Sequence, residues 1–429
     1  MISTKRSQKA RKKRSISLIL AIILIIASFF CGFFINNLFN GKDKKALSEI
    51  VFYLKEYGVF DTKTLELKNF SEEDIARIIT ENSSDDYATY YTPEEYKKTK
   101  ANGKGDYQGI GVNLTDDLII KKVIINSPAF HAGLRENDKI KSITYGEKTI
   151  SLNTLSDLRE FLSKRSESDT FVLSFIRNGE ILHANTSAKS FNATYVCYKD
   201  SDGEMYFLTG EDGKIKPTFN QVANDIFPSD VAYIALSSFE GDAGSEIERA
   251  LSFMKDRGRT KLVFDLRDNG GGYMSVLSKV ASSFIYNGGK SSSAIVYEKD
   301  NDGDFAVTST NSNKFPEHIT AISVIANENT ASASECLIGA MLYYKDKFSI
   351  DSLIIENEKD SENYHTFGKG IMQTTYPLSN GGGIKLTTAV IYQPDKTTCI
   401  HNTGIIAKKE NSCLKSNGIA LTKAISVLG

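Results

Sequence analysis

The sequence predicts a multidomain protein of mixed α/β and α+β class, with an apolar N-terminal span and a largely parallel sheet in its C-terminal half. Three observations carry this. The run Ile16–Ile35 holds 20 residues without a charge, enough at about 1.5 Å per residue to cross a bilayer as a transmembrane helix. Short β-like runs, "GIGVNL", "LIIKKVII", "DKIKSITY" and "DTFVLSFIRNG", fill the stretch after residue 105. From about residue 193 strands and helices alternate, and apolar runs such as Ile322–Ala326 read as buried parallel strands. A chain of 429 residues, 41% hydrophobic and 24% charged, has the length and composition for more than one globular core.

The N-terminal span comes first. Lys5, Arg6, Lys9, Arg11, Lys12, Lys13 and Arg14 precede it, and the first acidic residue is Asp43. This asymmetry keeps the basic end in the cytoplasm. Bulky Phe33, Phe34 and Ile35 stand where a signal peptide would carry small residues for cleavage, so residues 1–40 read as a basic tail and retained anchor. The body of the chain is then expected outside the membrane. Without the basic tail the chain is mildly acidic, which gives no reason to expect nucleic-acid binding.

Residues 41–106 form a helical segment in this reading. Ile50, Leu54 and Tyr57 recur at helical spacing, and "SEEDIARIITEN" opens with Ser71 and an acidic first turn. Residues 107–192 form a mainly β module with one or two helices, "LSDLREFLSK" among them. Residues 193–429 open with a hairpin turning at Asp202-Gly203 and continue as an α/β core. The polar stretch "ENEKDSEN", 356–363, reads as an exposed loop. Cys399 and Cys413 are spaced to close a short disulfide loop; the alternative is that the cysteines are all free and mostly buried. No Cys-x-x-Cys or His-Glu-x-x-His spacing occurs, so no metal or organic cofactor is implied.

Three stretches carry candidate chemistry. In "TASASECLIGAML", 330–342, Ser332 and Glu335 have the spacing of a helix capping box. The same serine, at the positive end of a helix and flanked by alanines, also has the setting of a nucleophile. In "HTFGKGIMQ", 365–373, Gly368 and Gly370 allow close backbone approach around Lys369, and Phe367 is placed to exclude water. A lysine held neutral in such a place can serve as a general base, although Gly-Lys-Gly is otherwise an ordinary turn. In "KLVFDLRDNGGG", 261–272, a strand runs into glycines whose N–H groups are exposed for a developing oxyanion; the plain alternative is a strand-to-helix turn.

Taken in order, "DLRDNGGG", "NTASASE" and "TFGKGIMQ" resemble the carboxyl-terminal (tail-specific) processing proteases, serine peptidases with a Ser/Lys dyad. The module before them resembles a PDZ domain, with "YQGIGVNL" as its carboxylate-binding loop and "SPAFHAGLRENDKIKSI" as the following turn and strand. "DDYATYYTPEEY", 85–96, resembles the segment that precedes the PDZ domain in that family. The resemblance implies Ser332 as nucleophile, Lys369 as general base and Gln373 as the group orienting that lysine. It implies an oxyanion hole from the N–H groups of Ala333 and of Gly271 or Gly272. Gly109, Ile110, Gly111 and Val112 would take the substrate's terminal carboxylate.

The chain departs from the family pattern in three places. Ser332 and Lys369 are 37 residues apart, a longer separation that includes the 356–363 stretch. Glu136-Asn137-Asp138 replaces Pro-Gly-Asp in the PDZ-like turn, where asparagine tolerates a left-handed backbone. "NTGIIAKKE", 402–410, lacks the usual Pro-Asp. The expected function is a membrane-anchored endopeptidase of a bacterial envelope, acting on peptides with a free C-terminus. The oligomeric state, a homo-oligomer included, is open. The rival readings are a catalytically inactive PDZ adaptor, which leaves intact Ser332, Lys369 and Gln373 unused, and a structural envelope protein.

Overall fold

The computed structural model describes residues 72–81, 83–209, 213–215, 227–285, 292–311, 315–345, 348, 352–360 and 363–429, with single positions between 46 and 57. The basic tail and the Ile16–Ile35 span lie outside the described residues. Among those described, no helix is long and apolar enough to cross a membrane.

The described residues divide by compactness into two units: one holds those up to 97 together with 373–388, the other those of 98–372 and 389–429. In the first, helix Glu72–Glu81 accompanies strand Thr89–Tyr91, which pairs antiparallel with Gly383, Ile384 and Lys385. Asp85, 4% exposed, accepts the Thr387 N–H at 2.6 Å and its hydroxyl at 2.8 Å. Sequence reading assigned residues 41–106 to a helical segment of their own; the chain borrows a strand from near residue 385 to complete it.

The second unit contains the β module and the α/β core. In the module, strands Lys139–Tyr145, Lys148–Ser151, Thr170–Arg177 and Glu180–Ser187 make a four-stranded antiparallel sheet. Helix Leu155–Ser163, capped by Thr154 and Asp157, packs Leu158 and Phe161 into its interior. Asn137 adopts φ 70°, the left-handed conformation expected of it. Next to it, fully buried Asp138 takes both Nε and Nη2 of Arg177 at 2.7 Å.

The core is built on β1 (Val196–Asp200), β2 (Met205–Thr209), β3 (Gly213–Ile215), β4 (Val231–Leu236), β5 (Lys261–Asp265), β6 (Ala321–Asn327), β7 (Leu353–Asn357) and β8 (Cys413–Leu414). They lie in the order β3-β2-β1-β4-β5-β6-β7-β8. From β4 to β8 the pairings are parallel, and β1–β3 are added antiparallel. The helices are α1 (Ala243–Asp256), α2 (Met274–Ala281), α3 (Ala333–Tyr344) and α4 (Ala420–Ser426). Ile247, Ala250, Leu251 and Met254 give α1 one apolar face, which joins α2, α3 and Ala232, Ile234, Leu262 and Phe264 in the main core. The opposite sheet face, with Val231, Val263 and Ile325, packs on α4. Both faces are covered, hence the unbroken apolar strands.

Of the two readings left open for Cys399 and Cys413, the structure has the free thiols. One expectation is corrected. Glu356 and Asn357 are not loop residues: they end β7, each 5% exposed, and Glu356 is held by Arg267 at 3.1 Å. A buried ion pair lets a polar sequence continue a strand.

Where the β module joins the core, the Glu246 carboxylate of α1 accepts the N–H groups of Tyr195 at 2.7 Å and Val196 at 2.9 Å. Burial, partly offset by these bonds, pushes its pKa up to about 7 from an ordinary 4.5. Between those values the folded protein keeps a proton that the unfolded chain has released. The Glu246 contribution therefore makes stability fall as pH rises through this window, by on the order of 2–3 kcal/mol. Urea unfolding of wild type and Glu246→Gln at about pH 5 and about pH 8 should show wild type losing more stability than the variant; a constant difference would refute this.

Candidate active site

Parallel strands β5 and β6 deliver their following loops to one edge of the sheet. After β6, Thr330 donates its hydroxyl to Leu266 O at 2.8 Å, and Ala331 N–H bonds Asn269 O at 3.0 Å. Ser332, the N-cap of α3, then sits at φ 57°, ψ −117°, a conformation rare for a residue with a side chain and costly unless its surroundings enforce it. The two serines separate here. Ser334 is fully buried and donates its hydroxyl to Asn269 O at 3.0 Å, whereas Ser332 is half-buried at the helix start.

The Glu335 side chain is 0% exposed and accepts four donors. Oε2 takes the Ser332 N–H at 2.8 Å and the Lys369 N–H at 2.9 Å. Oε1 takes the Gly368 N–H at 2.7 Å and the Thr366 hydroxyl at 2.5 Å. The local Ser332–Glu335 pairing expected of a helix start is present through the serine backbone. The carboxylate also reaches a turn more than thirty residues away and fixes its backbone to that of the serine. Phe367 N–H adds a bond to Thr330 O at 2.9 Å.

The glycine loop closes the third side. A Cβ on Gly271 would lie 2.8 Å from Ser332 Cβ and 2.9 Å from Ala333 N; one on Gly272 would lie 2.3 Å from Phe239 O. Their φ values, 99° and 149°, also require glycine. Buried Asn269 holds one of them. Its Oδ1 accepts the Gly271 N–H at 2.9 Å while its Nδ2 holds Leu236 O at 2.8 Å. Gly271 is buried and Gly272 exposed, and no described acceptor takes the Gly272 N–H. Asn269, Thr366 and the long-range reach of Glu335 were missed from sequence. All three lie inside the motifs, but their partners are distant in the chain.

Lys369 is half-buried, in a turn pressed against residues 401–404: a Cβ on Gly370 would lie 2.5 Å from His401 N, and one on Gly368 3.0 Å from Gly404 N. The close approach expected of these glycines is present. Phe367 does not exclude water, since it is 54% exposed; the turn is enclosed by backbone instead. His365 is exposed and its Nδ1 lies 2.8 Å from Thr366 O. Gln373 lies on strand Ile371–Pro377, and its buried Nε2 makes no hydrogen bond among the described residues.

The carboxylate-loop candidates form a separate cluster in the β module. Gly109 and Gly111 have φ 129° and 81°, and a Cβ on Gly111 would lie 2.1 Å from Ser127 Cβ. Ile110 is buried and its carbonyl accepts the Ala129 N–H at 2.8 Å. Val112 begins strand Val112–Leu114, which pairs with Ile120–Val123 on one side and with no described strand on the other. Such an edge can receive an extended peptide.

Comparison with known proteins agrees with this layout. Residues 230–350 and 362–408 match Peptidase family S41, and residues 108–187 match the PDZ domain. A Staphylococcus aureus protein named "Probable CtpA-like serine protease" is 27% identical over 91% of this chain and 69% of its own length. The carboxyl-terminal-processing protease of Synechocystis sp. is 28% identical over 73% of this chain and 65% of its own length. The solved photosystem II D1 C-terminal processing protease shares the fold, with a TM-score of 0.50 and 20% identity, covering 91% of this chain and 98% of that one.

Replacing one Glu335 oxygen by an amide puts a donor against two donors. Glu335→Gln should therefore lower peptidase kcat by about 100-fold or more through misplacement of the serine and its facing turn, with KM little changed. Steady-state kinetics on protein with a wild-type circular-dichroism spectrum checks this; near wild-type kcat would show that the carboxylate does not position the site.

Proposed function

We propose that this chain, a serine peptidase of the S41 family with a PDZ domain, is a membrane-anchored endopeptidase that cleaves protein substrates near their C-termini. The observation that carries the reading is the Glu335 carboxylate, which joins the Ser332 backbone to the backbone of the turn bearing Lys369. Lys369, as the neutral amine, takes the proton of Ser332 Oγ while that oxygen attacks the peptide carbonyl. The N–H groups of Ala333 and Gly272 receive the oxyanion, and the α3 N-terminus favours the same charge. The lysine then passes its proton to the leaving amine, and water, deprotonated by the same lysine, releases the acyl group. Gln373 keeps the lysine-orienting role given by the family motif.

The PDZ domain supplies the C-terminal preference in this reading. The Gly109–Val112 loop receives the substrate carboxylate, and the substrate backbone adds to the open edge of strand Val112–Leu114. Anchoring by Ile16–Ile35, with the basic tail in the cytoplasm, sets the peptidase outside the membrane. Protease treatment of intact cells with opened outer layers should degrade the body of the chain; full protection there would reverse this topology.

Ser332→Ala and Lys369→Arg should both abolish peptide hydrolysis, because arginine keeps its proton. The double variant should be little worse than either single one, since the two groups act as a unit. Wild-type turnover should rise with pH as the amine loses its proton. A folded Lys369→Arg protein with near wild-type kcat would remove the lysine from the mechanism. Amidating the C-terminus of a good substrate removes the charge that the PDZ loop reads and should slow cleavage; equal kcat/KM for free and amidated peptides would remove the gating role alone.

A further inference from the structure

On the sheet face opposite α1–α3, a cavity of about 680 Å³ opens between the PDZ domain and the core. Its size is that of a ligand pocket. Val123, Phe130 and Leu134 of the PDZ domain form one wall; Met205 and Phe207 of β2 and Ala235 of β4 form the other. Phe130 and Phe207 meet edge to face at 5.3 Å and hold the walls together.

The charged groups that the core contributes to its lining are matched. Arg267 bonds Asp265 and Glu356, Tyr233 donates to Asp265 at 2.8 Å, and Lys415 pairs with Glu358 at 3.0 Å. Asp268 accepts the side-chain amides of Asn327 at 2.9 Å and Asn329 at 2.8 Å. Arg135 and Glu136 of the PDZ domain also line it, so the cavity combines apolar surface with charged groups of both signs.

Its rim is continuous with the catalytic loop. Leu236, Ser237 and Asp268 line the cavity. Leu236 O is the acceptor that holds Asn269, and Phe239 N–H bonds Gly271 O at 2.8 Å. Asp268 precedes Gly271 by three residues, so their Cα atoms are at most roughly 11 Å apart. An extended chain spans that distance in about three residues.

We propose that this cavity is a specificity subsite that seats one bulky apolar side chain of the substrate, leucine, methionine or phenylalanine, within a few residues of the scissile bond. The inference rests on the peptidase reading and adds its side-chain preference. The occupant is the substrate segment between the PDZ-held terminus and Ser332, because both walls belong to the two modules that segment must pass between.

The test uses the full-length chain and peptides with a fixed free C-terminus, in which each position around the cleavage site carries Leu, Phe, Ala or Asp in turn. Wild type should prefer Leu over Ala at one position by about 10-fold or more in kcat/KM. Ala235→Leu, which fills the cavity, should reduce that ratio at least about fivefold, and Met205→Ala, which enlarges it, should move the optimum toward Phe. Each ratio is taken within one preparation, so partial unfolding cancels. Cleavage with no discriminating position, or with a ratio that neither variant moves, overturns the subsite and leaves the peptidase reading intact. If wild type cleaves no peptide, that reading fails, and fluorescence anisotropy with the labelled peptides decides the cavity. Equal Kd for Leu and Ala peptides would overturn it; a Leu preference lost in Ala235→Leu would uphold it.

Discussion

Everything at this site hangs on a carboxylate that water does not reach. Glu335 is buried with four donors on its two oxygens, and those donors come from two chain segments that no strand pairing joins. A buried carboxylate is costly unless its lone pairs are filled, so the energy that forces the four bonds also fixes the geometry. The length of chain between Ser332 and Lys369 then matters little. Loop-closure entropy grows only logarithmically with length, and the far turn is held at its own ends by Thr330 O and by residues 401–405. An insertion there lengthens the tether without moving the anchor.

The same constraint explains how strain is tolerated. Ser332, Gly271 and Gly272 all hold positive φ within one small volume, and such backbone persists only where its neighbours over-determine it. Here the serine N–H is bonded to Glu335, Ala331 to Asn269, and Gly271 to the Asn269 side chain. Asn269 and Glu335 are thus complementary clamps. One ties the glycine loop to β4 and to the serine loop; the other ties the serine loop to the lysine turn.

Much of this was legible in the sequence, and the limits have physical causes. Alternating strands and helices announced the parallel sheet because strands covered on both faces must be apolar throughout. The glycines announced close approach because no other residue permits it. The different settings of Ser332 and Ser334 were not open to composition or spacing; they depend on Asn269 O, which accepts the Ser334 hydroxyl. The polar 356–363 stretch misled only at Glu356 and Asn357, because Arg267, nearly ninety residues earlier, neutralises Glu356 inside the sheet. The pairing of Thr89–Tyr91 with Gly383–Lys385 is a contact across nearly three hundred residues, and local pattern carries no record of such a partner.

The topology also separates two demands on the enzyme. Loops following β4, β5 and β6 emerge at one edge because these strands are parallel, and ligands in open α/β sheets gather outside the carboxyl ends of the strands. The side of that edge toward α3 carries Ser332, where strained backbone and filled hydrogen bonds leave little freedom to change. The opposite side carries the cavity, walled by Met205, Phe207, Phe130 and Ala235, where packing tolerates apolar exchange if volume is respected. Side-chain preference can therefore be retuned from the cavity face while the clamps of Glu335 and Asn269 stay untouched, since neither residue lines it.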